Sequence, residues 1–174
     1  MLAEAGALAL ADILPPTFPD SWQSYLRQLF RRFREAIRRH PNVAPLIGTQ
    51  LIATRGVDLA FVEQLLATLV HAGFAGSKLL GAYNAVIATL VGFTTQEFAA
   101  IPAEDVKEWQ REMRARLRAV EAFRYPMLAA NMKLLANRAF ILRWQNGTDV
   151  PLDRSFESFL DIVIGGLERM ATRR

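Results

Sequence analysis

Apolar residues in this chain recur three and four positions apart and almost nowhere two apart. Trp22, Leu26, Leu29, Phe33 and Ile37 form one such stripe, Leu59, Val62, Leu66, Leu69, Val70 and Gly73 a second, and Val106, Trp109, Met113, Leu117 and Val120 a third. This is the period of amphipathic helices, and no sustained alternation of the strand type accompanies it. Pro15, Pro16 and Pro19 close a first helix over about 2–14. Asp20 or Ser21 caps a second, which ends before His40-Pro41 because a residue preceding proline is pushed out of the helical region. Further helices are expected over about 42–54, 58–73, 77–100, 103–122, 126–144 and 154–171, with Gly, Pro and Asn at the breaks. No repeat period runs through them. The pattern predicts an all-α fold, a single domain of about eight helices.

Two of these helices are apolar on more sides than one core requires. The fifth sets Leu79, Leu80, Tyr83, Ile87, Leu90 and Val91 on one face and the small residues Gly81, Ala85, Ala88 and Gly92 on the other. In the last, Phe156, Phe159, Leu160, Ile162, Val163, Ile164, Leu167 and Met170 cover more than half the circumference around Gly165-Gly166. A helix that is apolar all round has to be buried all round, and a large exposed apolar patch marks an interface. We therefore expect a homodimer built as a four-helix bundle from these two helices of each subunit. Its contacts would be Gly81, Ala85, Ala88, Gly92, Phe156, Phe159, Leu160, Val163, Gly166 and Leu167. The plain alternative is that both helices are central to a monomer core.

With 174 residues, 52% hydrophobic and 22% charged, the chain suits one well-buried core. The absence of cysteine removes disulfides, thiolate nucleophiles and thiolate metal sites. The opening residues lack a basic segment and carry Glu4 and Asp12, unlike a signal peptide. The weakly polar run 79–93 contains Asn84 and is too short to span a bilayer. The expected location is cytoplasmic, with no membrane contact.

Charge adds one question. The net charge is +4, and Arg27, Arg31, Arg32, Arg34, Arg38 and Arg39 crowd into the second helix against Glu35. Such a face can track phosphates or can be the wet side of a packed helix. Candidate chemistry is sparse. His40 and His71 are far apart in sequence, and no HExxH, paired-carboxylate or nucleophile motif accompanies them, so no enzyme activity, metal or cofactor is expected. The site expected instead is an apolar cavity between the second, fourth, fifth and sixth helices, for a small apolar effector. Phe33, Val70, Tyr83, Ile87, Trp109 and Tyr125 would wall it, and Gln50, His71 and Asn84 would orient the ligand. Asn84 stands out, because a buried amide has to find partners.

Several stretches resemble the regulatory domain of the tetracycline-repressor (TetR) family of transcription regulators. FESFLDIVIGGLERM is similar to the family's closing helix, LLGAYNAVIATLVGFTTQEFA to its long helix with a central aromatic, and RFREAIRRHPNVAPLI to its second helix and turn; FRYPML also fits. The resemblance implies an effector-binding and dimerisation domain over 1–174, from a regulator that acts as a repressor. It also implies that the arginine helix lines the effector side of the core as a solvated face. The N-terminal helix-turn-helix with which such regulators begin is absent from this sequence, so DNA would be met only through that missing domain. The competing reading is a stand-alone helical carrier of small molecules or lipids.

Overall fold

The second predicted helix forms α1, Trp22–Arg39, in the computed structural model. The structure describes residues 13–15, 21–45, 47, 59–101 and 104–172. Ser21 is extended and its hydroxyl accepts a hydrogen bond from the Ser24 N–H, satisfying one of the free donors of the first turn. The apolar stripe Leu26, Leu29, Phe33 and Ile37 is buried, together with Tyr25, Phe30 and Ala36. The helix stops at His40, and a short 3-10 turn follows over Pro41–Val43.

Helix α2, Leu59–His71, buries Leu65, Thr68 and Leu69. Its end is closed by Gly73 at φ +90, with the Phe74 N–H bonded to Leu69 O and the Gly73 N–H to Val70 O. That left-handed turn needs glycine, and it drops Phe74 into the core. Helix α3, Gly76–Glu97, buries Ala82, Val86, Thr89, Leu90, Phe93, Thr94 and Glu97. The last helix, here α6, is Asp153–Thr172 and buries Phe156, Leu160, Ile164 and Leu167. These four helices pack against one another around a shared core. Ile13, from the segment preceding α1, is buried in the same core.

Between α3 and α6 lie two shorter helices, α4 over Val106–Arg118 and α5 over Pro126–Leu135. Neither contains a fully buried residue. The expected sixth helix, 103–122, is thus trimmed at both ends, with Asp105 capping the N-terminus through the Glu108 N–H. The expected seventh helix stops nine residues before Trp144. There Asn137 turns to φ 61, its side-chain carbonyl accepting the N–H groups of Trp144 and Gln145. Local side-chain capture of this kind competes with helix continuation and wins here. The described residues contain six α-helices and no strand, in agreement with the predicted all-α class. Most of the helices expected over 2–14 and 42–54 lies outside the described residues.

The arginine face of α1 is partly solvated, as expected, but it is paired, and Arg34 within it is buried. It runs antiparallel to an acidic stripe on α6 and pairs with it rung by rung. Arg27 meets Asp161 at 2.7 Å, and Arg31 grips both oxygens of Glu157 at 2.9 and 2.6 Å. Arg34 and Arg38 share Asp153 at 2.9 and 3.0 Å, and Gln23 extends the row to Glu168. Most rungs are exposed, so each adds at most about 1 kcal/mol and together they fix the register of the two helices.

Candidate functional site

Glu97, the last residue of α3, is 1% exposed. Its carboxylate is gripped by both Arg34 nitrogens at 2.7 Å and also accepts the Leu152 N–H at 2.8 Å. Its backbone carbonyl accepts the Gly147 N–H at 2.6 Å. One residue thereby ties α1, α3 and the loop over 136–152 together. Burial works against the Arg34 charge, but the hydrogen bonds and charge of Glu97, and then of Asp153, outweigh it and hold the guanidinium above its ordinary pKa. The same guanidinium lies over the Phe156 ring at 4.6 Å.

The loop tied down by Glu97 borders an open cavity of about 240 Å³ with the end of α3 and with α4. Trp109, Trp144, Phe140, Ile101 and Ile141 supply apolar walls, and Gln96, Gln145 and Asn146 supply amides. Among the described residues, Arg143 is the one charged residue in this lining. Its Nε donates to Gln145 O and its Nη2 to Val150 O, while Nη1 is buried without a hydrogen-bond partner. Burial pushes the Arg143 pKa down, an effect that the charge of Glu97 only partly offsets. A buried donor left unsatisfied costs about 1–3 kcal/mol. Asn137 fixes the rim, since it holds the backbone of Trp144 and Gln145 and donates to the Gln145 side chain. Ile141, also on the rim, is 90% exposed at φ 61, a left-handed conformation that strains a β-branched residue.

Among protein families, the description "Tetracyclin repressor-like, C-terminal domain" matches residues 14–171. The chain belongs to this tetracyclin repressor-like family. No curated protein matches it. Among solved structures it is similar to the transcriptional regulator SCO7222, a TetR from Streptomyces coelicolor. The two share 19% identity with a TM-score of 0.66, over 98% of this chain and 75% of that one. At that identity the likeness speaks for the fold.

Within this tetracyclin repressor-like domain the residues expected to line one cavity are scattered. Of those among the described residues, only Trp109 reaches the cavity at the end of α3. Phe33 is part of the packed core, and Tyr83 and Ile87 pack against that core as half-buried residues. Val70 is 56% exposed and Tyr125 46%, while His71 and Asn84 also face outward. Asn84 therefore needs no ligand to satisfy its amide, since water serves. Gln50 lies outside the described residues. The face of α3 that packs on α1, α2 and α6 is Ala82, Val86, Thr89, Leu90 and Phe93 rather than the large-residue face that the sequence displays, so Tyr83 and Ile87 sit at the edge of the core.

The residues expected at a partner interface divide into two groups. Phe156, Leu160 and Leu167 are buried in the chain's own core, where Phe93 meets the rings of Phe156 and Phe159 at 5.4 Å. Val163, Phe159 and Ala85 are half-buried against that core. Gly81, Ala88 and Gly166 are exposed, Gly92 is half-exposed, and Ile162 beside them is 73% exposed. A Cβ built at Gly92, Gly165 or Gly166 would meet nothing within 4 Å.

Sequence reasoning missed Arg143, Phe140, Trp144 and Asn146. All four lie in or beyond a stretch whose helical spacing hid the turn at Asn137. The signal available was the pair Asn137 and Asn146-Gly147, residues suited to left-handed or side-chain-bonded turns.

Proposed function

We propose that this chain is the ligand-sensing and dimerisation domain of a TetR-like transcription regulator, a repressor whose DNA binding a small effector relieves. The observation that carries the reading is the family match over 14–171. It is supported by a cavity whose wall is hydrogen-bonded to the core through one buried residue, Glu97. In this reading the DNA contacts belong to a helix-turn-helix outside these 174 residues, and the assembly is a homodimer.

The mechanism follows from the network. A ligand that favours one position of 143–147 acts on Gly147, which is bonded to Glu97, which holds Arg34 on α1. Helix α1 shares its core with Ile13, on the N-terminal side where the reader would attach. The ligand shifts the balance between two packings only by its difference in affinity for them. A lipid carrier is less well supported, because about 240 Å³ falls below the range of roughly 300–1,000 Å³ usual for drug-sized ligands.

The test is to identify compounds retained by the purified chain and to apply them to the intact regulator on its own promoter DNA in a mobility-shift assay. Release of the DNA is expected. Unchanged DNA binding at saturating compound would contradict the reading.

A further inference from the structure

We propose that residues 104–146 form an arm that seats on a second copy of this chain, with Phe123, Met127, Ala130 and Leu134 as its contact strip. The proposal rests on the homodimer of the reading above and adds to it a contact surface outside α3 and α6.

Burial is the first argument. Every residue from 104 to 146 is exposed or half-exposed. Among the described residues of this arm, Phe140 is the apolar side chain that packs on the core, where its ring meets Phe93 at 5.1 Å. Neither α4 nor α5 packs extensively on α1, α2, α3 or α6. Helices of 13 and 10 residues are marginal in water by themselves, since an isolated helix needs roughly 12–15 residues or more. Contacts from outside the chain supply what the core does not.

The pattern of α5 is the second argument. Its ten residues carry one charge, Lys133. Leu128, Met132 and Leu135 are half-buried on one side, while Met127, Ala130, Asn131 and Leu134 are exposed on the other at spacings of three and four. Met127 and Leu134 are 76% and 65% exposed, and Phe123, in the turn before the helix, is fully exposed. Asn131, the polar member of the strip, donates to Met127 O, so its amide is turned back on its own helix. A helix apolar on both sides has to be buried on both sides. With Val106, Tyr125 and Ile141, the arm presents on the order of 800 Å² of large apolar side chain, about what one partner contributes to a standard stable interface.

A second copy fits this strip better than a lipid surface does. Arg124 and Lys133 are the only cations from 122 to 137, too few for the basic row of an interfacial membrane helix. The chain also carries another uncovered face, Gly81, Ala88, Gly92, Ile162 and Gly166 on α3 and α6. The arm leaves the C-terminal end of α3 and returns to the N-terminal end of α6, so it continues that face along the chain. A twofold pair joined there brings each arm beside the partner and covers both surfaces at once.

The experiment is amide hydrogen exchange by mass spectrometry on the full chain, above and below the concentration at which sedimentation shows the dimer dissociating. A Met127→Ser, Leu134→Ser double variant is run beside it. Both side chains are exposed within the chain, so the variant should keep the wild-type circular dichroism. In the dimer the amides of 106–135 should exchange about tenfold or more slowly than in the dilute chain, while those of 26–37 stay slow in both. The variant should dimerise about tenfold or more weakly. An arm that exchanges as freely in the dimer as in the dilute chain, or a folded variant that dimerises as tightly as wild type, would overturn the proposal and leave the homodimer standing. A chain that stays single at every concentration would overturn both. Arm exchange slowed only by vesicles containing phosphatidylserine would assign the strip to a lipid surface and overturn the proposal as well.

Discussion

Glu97 is the residue on which most of the structure around the cavity depends. Removing one partner of a buried ion pair strands the other, so Glu97→Ala should lose about 3–5 kcal/mol in urea denaturation, with faster amide exchange across 143–152. Gly147 tests the same point from the other side. A Cβ there would lie 2.5 Å from Glu97 Cγ and 2.8 Å from Phe98 Cε1. Glu97 cannot move away without breaking its bonds to Arg34 and Leu152, so Gly147→Ala should destabilise by about 1–3 kcal/mol. Ile141 carries strain of the opposite consequence: Ile141→Gly should raise the melting temperature, gaining about 1 kcal/mol as the left-handed strain is relieved. None of these roles was legible beforehand, because Glu97 reads as an ordinary helix-end acid and its partners lie 63 and 55 residues away.

At the scale of elements, periodicity located α1, α2, α3 and α6, but the buried stripe matches the displayed one only in α1 and α6: α2 buries Leu65, Thr68 and Leu69 and leaves Leu59 and Val70 exposed, and α3 buries Ala82, Val86, Thr89, Leu90 and Phe93 and leaves Leu80 exposed. It overran α4 and α5, whose ends are set by Asp105 and Asn137 rather than by burial. It also missed the pairing of the α1 arginines. Their spacing was visible, and so was that of Asp153, Glu157 and Asp161, but nothing local says that two helices over a hundred residues apart lie antiparallel. The Arg31 hydrogen bonds hold the Glu157 carboxyl below its ordinary pKa, and Arg34 and Arg38 do the same for Asp153 by outweighing its burial. A depressed carboxylate stabilises the fold above its unfolded pKa and loses that contribution as pH falls through the folded value. Glu157→Gln should therefore cost up to about 1 kcal/mol at neutral pH, an exposed pair being screened, and the difference from wild type should fade as pH falls below the ordinary carboxylate range and through the lowered Glu157 value.

At the scale of the whole molecule, the sequence announced the family and an apolar excess on two helices. It could not apportion that excess between core and surface. The structure consumes Phe156, Leu160 and Leu167 inside and leaves Gly81, Ala88, Gly92, Ile162 and Gly166 open. If a second copy covers this face, bulk at its glycines blocks association. If nothing covers it, alanine at Gly166 is free of contacts and gains up to about 1 kcal/mol of helix propensity. The most direct measurement is native mass spectrometry of the purified chain beside its Gly92→Leu and Gly166→Leu variants. A mass of two chains for wild type, falling to one in the folded variants, is the result expected of a dimerising sensor. A single-chain mass for wild type at micromolar concentration, or a dimer indifferent to both substitutions, would contradict it.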